Sequence, residues 1–486
     1  MNIGLRYSPE TMIGSVRHVE LQLLNPPYGQ SWTPTTNSTA TNPSLKNFDP
    51  RIGLAYDPFS DHKTSIRVGF GIFHSVIYSR DLNLWLQPPF LIATQAGAPY
   101  LGTCTTSCSP ITTPISPGVI PTNGLVNPPN SNYYYVNTTP YIIQYNINIQ
   151  REIAPNTVAS VGYIGSHASH LFMQLDFNPP TPNGLVGGVP QGFCTSNGAT
   201  PTPACVTNPR LNPEWGALVF ANTIGSSNYN GLQASVNRRF SNNWQLQASY
   251  VLSKSIDDTS GTYGLDGGGL GAAATNPTCL SCDRGLSNFD RRNNVRLSGI
   301  YTVPNFAKGV VGQLVNGWQA TAGYTYLSGA PLTPLSIANR VFTGSGSPTG
   351  RPNEVAGCNL VPAQQTIFNW YNTNCFSIQQ AGTYGDAGRY TIIGPNLWGM
   401  DGSLSKNWSV SKISEQFRIQ LRAEAFNLLN HPTFQNPNNT VFAGAIPGST
   451  PLAAQAPGVA VNASAGRVTA VNSQPRQIQF GLKIVF

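Results

Sequence analysis

Charge is what this 486-residue sequence lacks most: 27 Lys and Arg and 19 Asp and Glu make up only 9% of it, against about 25% in an ordinary soluble domain. The scarcity excludes highly charged disorder, which combines many charges with few aromatics; here 10% of residues are Phe, Trp or Tyr. Long apolar runs are missing too. No stretch of about 18 residues is apolar throughout, which excludes a bundle of membrane-spanning helices. Helical stretches rich in Ala, Glu, Lys and Leu are absent, which argues against a cytosolic α/β enzyme, and no charged or Gly/Ser linker divides the chain. Enzyme signatures are also absent: there is no HExxH, GxSxG or GxxxxGK, and His18, His62, His74, His167, His170 and His431 are scattered. The glycine run at 264–271 has no helical pattern after it and reads as a loop rather than a phosphate cradle. No catalytic residue, cofactor or metal site is expected.

Polarity comes instead from Asn, Gln, Ser and Thr, alongside 48 Gly, 40 Pro and 40% hydrophobic residues. This is the composition of an all-β chain. The net charge of +8 does not mark a nucleic-acid surface. Its densest spots are the pairs Arg238-Arg239 and Arg291-Arg292, whereas nucleic-acid binders cluster basic residues with aromatics on one face. The opening Met1-Asn-Ile-Gly-Leu-Arg-Tyr7 has no basic segment followed by an apolar stretch, so no signal peptide is expected there. It reads like the inside of a strand, and the chain therefore reads as part of something longer.

The eight cysteines form four close pairs, Cys104/Cys108, Cys194/Cys205, Cys279/Cys282 and Cys358/Cys375, each in a Pro/Gly/Asn/Thr-rich segment. Local disulfides pinning exposed loops explain this and imply an exported, oxidising location. Zinc is the rival for Cys279-Leu-Ser-Cys282. A structural zinc site wants four ligands, and no His or second CxxC stands near it in sequence.

Strict alternation of apolar and polar residues, the mark of a strand with one greasy and one wet face, recurs along the chain. Phe417, Ile419, Leu421, Ala423 and Ala425 oppose Arg418, Gln420, Arg422 and Glu424. Trp244, Leu246, Ala248, Tyr250 and Leu252 oppose Gln245, Gln247 and Ser249. The pattern predicts strands at 1–8, 49–57, 64–75, 141–152, 157–177, 229–240, 243–255, 293–304, 316–329, 397–409, 416–429 and 476–486. The interruption Gly165-Ser-His-Ala-Ser169 is read as a bulge within one strand. Connections alternate between long and short, and most long ones run to roughly 35–65 residues, well beyond the usual loop inside a compact domain. Short turns at one end, long loops at the other and strands of about ten residues predict an antiparallel transmembrane β-barrel. Every backbone polar group in lipid must be paired within the protein, so such a sheet must close. All four cysteine pairs then lie outside the cell. Charge on the lipid face costs about 2–4 kcal/mol at the midplane, so Arg67, Arg296, Arg418, Arg422 and Glu424 are expected to face the lumen.

In the last segment Ile478, Phe480, Leu482, Ile484 and the terminal Phe486 share one face. A C-terminal amphipathic strand ending in Phe resembles the signal read by the barrel-assembly machinery of the outer membrane. Asp257, Asp258 and Asp266 are weighed as a Ca²⁺ site and read as a solvated turn. The repeated phrase Asn47-Phe-Asp-x-Arg51 and Asn288-Phe-Asp-x-Arg292 is read as a turn and cap, with a ligand contact as the alternative.

Several longer stretches are familiar in order and number: Asn47-Phe-Asp-Pro-Arg-Ile-Gly-Leu-Ala-Tyr56, Ser227-Asn-Tyr-Asn-Gly-Leu-Gln233, Trp244-Gln-Leu-Gln-Ala-Ser-Tyr250, Asn288-Phe-Asp-Arg-Arg-Asn293, Gly317-Trp-Gln319 on to Ser328-Gly-Ala-Pro331, and Leu421-Arg-Ala-Glu-Ala-Phe-Asn-Leu-Leu-Asn-His431. Together they resemble the C-terminal barrel of Oar-like TonB-dependent receptors of Gram-negative bacteria, over essentially the whole chain. The resemblance implies a parent with a signal peptide, a carboxypeptidase-regulatory-like β-sandwich that is not a peptidase, a plug, and a barrel of about 22 strands. Residues 1–486 then correspond to the C-terminal part of that barrel, with twelve strands present and the plug and sandwich domain absent. The partners implied are outer-membrane lipid, the barrel-assembly machinery, the TonB system only through the missing N-terminal part, and an extracellular ligand such as a carbohydrate, siderophore or peptide. Two other readings stand beside solute uptake: a surface-display or adhesion barrel without energised transport, and a secreted soluble β-protein that binds carbohydrate.

Overall fold

The computed structural model describes residues 1–12, 20–22, 24, 26, 33–75, 132–179, 183–186, 189–191, 211, 218–260, 275–277, 279–336, 350–379, 383–409, 418–442 and 461–485. Twelve main strands run in sequence order: β1 (Asn2–Tyr7), β2 (Phe48–Tyr56), β3 (Thr64–His74), β4 (Tyr141–Ala154), β5 (Thr157–Asp176), β6 (Val219–Ser241), β7 (Trp244–Asp257), β8 (Asn293–Thr302), β9 (Trp318–Leu327), β10 (Leu397–Ser409), β11 (Arg418–Phe426) and β12 (Gln477–Val485). Each pairs antiparallel with the next, so the sheet is an uninterrupted up-and-down meander from β1 to β12. Among the described residues nothing pairs with the outer edge of β1 or of β12, and the sheet is not closed.

All twelve segments expected from alternation are strands, and the differences are local. β6 begins ten residues earlier than its pattern predicts. Gly165–Ser169 runs as continuous strand paired on both sides. The irregularity falls just beyond it, at His170 with its positive φ and opposite Gly225, where the register shifts. At 20 and 23 residues, β5 and β6 are about twice the 9–11 residues that cross a bilayer. Their far ends, where Met173, Phe220 and Ala221 are buried, therefore stand clear of that thickness on the long-connection side.

Register carries the alternation from strand to strand. One face runs through Leu232 beside Leu252, Leu297 beside Tyr324, Tyr324 beside Met400, Leu404 beside Ala423 and Ala423 beside Phe480. The other runs through Ser235 beside Ser249, Ser249 beside Arg296, Arg296 beside Thr325, Ser403 beside Glu424 and Glu424 beside Gln479. The apolar face is exposed: Ile52, Val68, Ile147, Leu232, Leu404, Phe480 and Leu482 are all uncovered. Large contiguous apolar surfaces of this kind need a covering environment.

The hairpins follow their chemistry. Asn242 and Asn243, at φ 49° and 72°, make the two-residue turn between Ser241 and Trp244, the double positive φ that a tight hairpin demands. That places the turn one residue later than the expected Ser241-Asn242. The connection between β8 and β9, expected as a plain short join, carries a helix, α1 (Gly309–Val315).

The repeated Asn-Phe-Asp phrase performs the same task twice, at the long-connection ends of the strands. Asn47 and Asp49 are buried while Phe48 is exposed, and Asp49 accepts from the His74 backbone N–H at 3.0 Å. Asp290 is buried and Phe289 exposed; Asp290 accepts from the Ser255 N–H at 2.7 Å. Each aspartate thus holds the backbone of a neighbouring strand, which supports the turn-and-cap reading. Replacing Asp49 or Asp290 by Ala is expected to cost about 1–3 kcal/mol, because a buried backbone donor loses its acceptor. Unfolding in denaturant measures this, and unchanged midpoints for both variants contradict it.

Candidate functional site

The five charged residues expected on the wet face fall on the face lined by Ser, Gln and Asn, but they are not one constellation. Arg422 and Glu424, two apart on β11, touch at 3.3 Å, and Gln479 of β12 donates to Glu424 at 2.6 Å. This pair is partly exposed and contributes little stability by itself. Arg418 lies at the short-turn end of β11, opposite Ser409 and Val485 in register. Arg67 sits on β3 between Ala55 and Asn148, five strands from β8.

Arg296 lines a cavity of about 970 Å³. Gln247, Ser249 and Ser298 share its floor, with Asp401 from β10 and Gln477 from β12. Its rim comes from the connection after β11, including Asn427, His431, Thr433 and Gln474. Asn427 holds that rim in place. Its N–H donates to Asp401 at 2.8 Å, its side-chain NH₂ donates to the His431 and Gln474 carbonyls, and its side-chain oxygen accepts from the His431 N–H. His431 stacks on Trp398 at 3.6 Å between ring centroids. The alternation identified Arg296; Asp401 lies within β10, and the Asn427 clasp is made with the connection after β11, whose contacts no strand period marks.

Beyond the long-connection ends of β7–β12 the chain forms a cap with its own core. Tyr371, Cys375, Phe376, Ala387, Ile392, Val441 and Phe442 are buried together, drawn from the connections after β9 and β11. Burial raises the pKa of the Tyr371 phenol, and its hydroxyl stays a donor to the Asn438 carbonyl at 2.9 Å. Disulfides Cys358–Cys375 and Cys279–Cys282 brace the cap. The second answers the zinc reading of that CxxC, whose sulfurs are bonded to each other. Cys104, Cys108, Cys194, Cys205, Asp266 and Phe486 lie outside the described residues. Phe480, Leu482 and Ile484 of the expected assembly signal are exposed on one face of β12.

Two buried ion pairs hold the cap, one to the disulfide turn and one to the sheet. Arg351 donates to Asp283 at 2.8 Å and to the Cys282 carbonyl at 3.1 Å, so it grips the disulfide turn. Arg389 pairs with Asp257 at the end of β7 and donates to its carbonyl at 2.7 Å. Asp258, the next residue, pairs with Arg284 at 3.1 Å and accepts from the Ser226 N–H. Asp257 and Asp258, weighed as calcium ligands, are therefore committed to arginines. Among the described residues no group of three or more His, Cys, Asp or Glu side chains is placed to hold a metal ion. Burial pushes the Asp283 carboxyl pKa up and the Arg351 guanidinium pKa down, each against the attraction of its partner. Desolvation thus outweighs the pairing, and the pair fixes the cap's position more than it stabilises the fold.

A family model described as "Outer membrane beta barrel domain" matches residues 1–479. No curated protein matches the chain in sequence. Among solved structures the chain is similar to the outer membrane transporter YddB from Escherichia coli, with a TM-score of 0.40, 11% identity, 80% of this chain and 38% of that one covered. It is similar to the ferripyoverdine receptor of Pseudomonas aeruginosa, with a TM-score of 0.36, 10% identity, and 90% and 33% covered. It is also similar to the siderophore receptor PiuA of Acinetobacter baumannii, with a TM-score of 0.38, 9% identity, and 90% and 36% covered. The chain therefore spans well under half the length of each.

The ion-pair geometry sets an expected outcome. Arg351→Met alone strands a buried carboxylate and should destabilise the cap by about 3–5 kcal/mol, whereas Arg351→Met with Asp283→Leu should recover most of that loss. Hydrogen exchange at residues 350–379 reports it. A double variant as exchange-labile as the single one shows that the pair is net stabilising.

Proposed function

The chain belongs to the outer membrane β-barrel domain family and is a protein of the Gram-negative outer membrane; from that premise we propose that it is the C-terminal barrel part of a TonB-dependent receptor that captures a ligand and admits it across that membrane. The observation that carries this reading is the cavity on the wet face, with Arg296, Asp401 and neutral polar side chains at its floor and the β11–β12 connection at its rim. A pocket of that size, where these polar groups stand among Leu297, Tyr324, Leu327, Trp398 and Phe426 and which opens beside the long connections, suits a solute entering from outside. The wet-face residues Arg67, Arg296, Arg418, Arg422 and Glu424 would face the lumen, where they meet either the solute or a plug. Among the described residues both outer edges of the sheet are unpaired, which supports the truncation reading, because a barrel wall in lipid needs every edge strand paired. Strands from the rest of a longer polypeptide supply the missing pairs, and the plug and TonB contact belong to the same missing part. The ligand class follows from chemistry common to carbohydrates, siderophores and peptides: many hydrogen-bonding groups at modest charge.

One observation favours a second reading, a surface-display barrel without energised transport. The cap is a disulfide-braced folded unit with its own core rather than a set of loose loops, which is what a presented surface requires.

The genomic sequence immediately upstream of Met1 separates the two. An in-frame plug with a TonB box supports uptake, and a signal peptide directly before residue 1 supports display. In the full receptor, Arg418→Glu or Arg422→Glu should leave membrane insertion intact while changing uptake or plug docking. Loss of insertion instead would invert the face assignment.

A further inference from the structure

We propose that α1 is a membrane-interface anchor, held on the apolar face of the sheet so that its exposed side chains enter the phospholipid leaflet at the short-turn end. Register places its fastening on that face. Trp318 pairs with Lys406, Lys406 with Leu421, and Leu421 with Leu482; Trp408 pairs with Ile419, and Ile419 with Ile484. Trp318, Lys406 and Trp408 therefore share the face of Leu421, Leu482 and Ile484, opposite to that of Arg422 and Glu424.

Each of the three holds the carbonyl end of the helix. The Trp318 indole N–H donates to the Leu314 carbonyl at 2.8 Å, the Trp408 indole to the Gln313 carbonyl at 2.9 Å, and the Lys406 ammonium to the Asn316 carbonyl. A cation and two N–H donors at a helix C-terminus satisfy carbonyls that have no partner within the helix. Lys406 is 2% exposed, with its ammonium 5.6 and 5.4 Å from the two indole rings. A lysine on a lipid-facing surface is costly; here the helix end and the indoles enclose it.

The segment is built to stay in place. Asn316 closes the loop by accepting from the Phe306 and Ala307 N–H groups and donating to the Ala307 carbonyl at 2.7 Å. Gly309 and Gly317, at φ 65° and 68°, let the chain enter and leave the helix.

The free side of α1 is apolar. Val310, Val311 and Leu314 are 75%, 61% and 62% exposed and fall within one arc of about 100° on the helix surface. Phe306, just before it, is 70% exposed. A soluble surface has no use for four large uncovered apolar side chains within nine residues. Continuity with the lipid-facing wall identifies their occupant. At the same end, Arg238 stacks on Trp244 at 4.1 Å and Arg151 on Phe59 at 5.2 Å. These cation–aromatic pairs suit the boundary between acyl chains and phosphate headgroups. The occupant is therefore the interfacial zone of a phospholipid leaflet, with α1 lying in its plane.

The inference rests on the barrel reading, and one experiment separates the two. The full chain in isolated outer membranes is photolabelled with a phosphatidylethanolamine carrying a diazirine in one acyl chain, and adducts are mapped. Labelling of both 477–485 and 306–314 is the expected result. In the variant Val310→Ser, Val311→Ser, Leu314→Ser, adducts on 306–314 should fall about tenfold or more while those on 477–485 persist. Labelling of 477–485 without 306–314 in the unaltered chain overturns the anchor and leaves the barrel standing. Labelling of neither overturns both.

Discussion

A backbone N–H or C=O in lipid has nothing to bond with except another strand, and this constraint orders the whole molecule. It explains why twelve strands follow one another as neighbours without a crossover, since an up-and-down sheet pairs each strand as it is made. It explains why the exposed face of the sheet is apolar, and why the ordinary hydrophobic core has moved out of the sheet into the cap. The strands do not need a core between layers, because lipid covers one face and water and polar side chains the other.

The scarcity of charge follows from the same source, and so does its placement. Few charged side chains stand in mid-strand, and those on β11 cluster with a glutamine on the wet face. Aspartates instead sit mostly at strand ends and turns as acceptors for backbone N–H groups: Asp49 for His74, Asp290 for Ser255, Asp258 for Ser226 and Asp57 for the turn after β2, while Asp401 within β10 accepts from Asn427. Arg389 then ties the cap to the end of β7 at Asp257, and Arg351 ties it to the disulfide turn at Asp283. Lys406, a basic residue on the apolar face, has its head enclosed by α1 and two indoles.

The sheet was legible in the sequence because alternation with period two is a local signal, and a one-residue slip would turn every side chain to the wrong face. The face of Arg422 and the exposed row Phe480, Leu482 and Ile484 could be read directly. The cap could not. Tyr371, Phe376, Ile392, Val441 and Phe442 come from two connections and share no period, so their meeting depends on the disulfide and on chain reversal. Arg351 and Asp283 are 68 residues apart, and nothing local joins them. The helix α1 was missed because two of its seven residues are glycine, and its stability comes from Trp318, Trp408 and Asn316 rather than from its own propensity. The cavity was half legible: Arg296 belonged to the pattern, whereas its rim belongs to a connection.

The central claim is that this sheet has one face in lipid and one in water, strand after strand. Single cysteines placed in turn at positions 477–485, probed in outer membranes with a membrane-impermeant thiol reagent and with a lipid-soluble one, test it most directly. The account predicts strict alternation, with positions 477, 479, 481 and 483 open to the aqueous reagent and positions 478, 480, 482 and 484 reached only from lipid. Equal aqueous reactivity along the whole strand would contradict it, since that is how a sheet wet on both faces behaves.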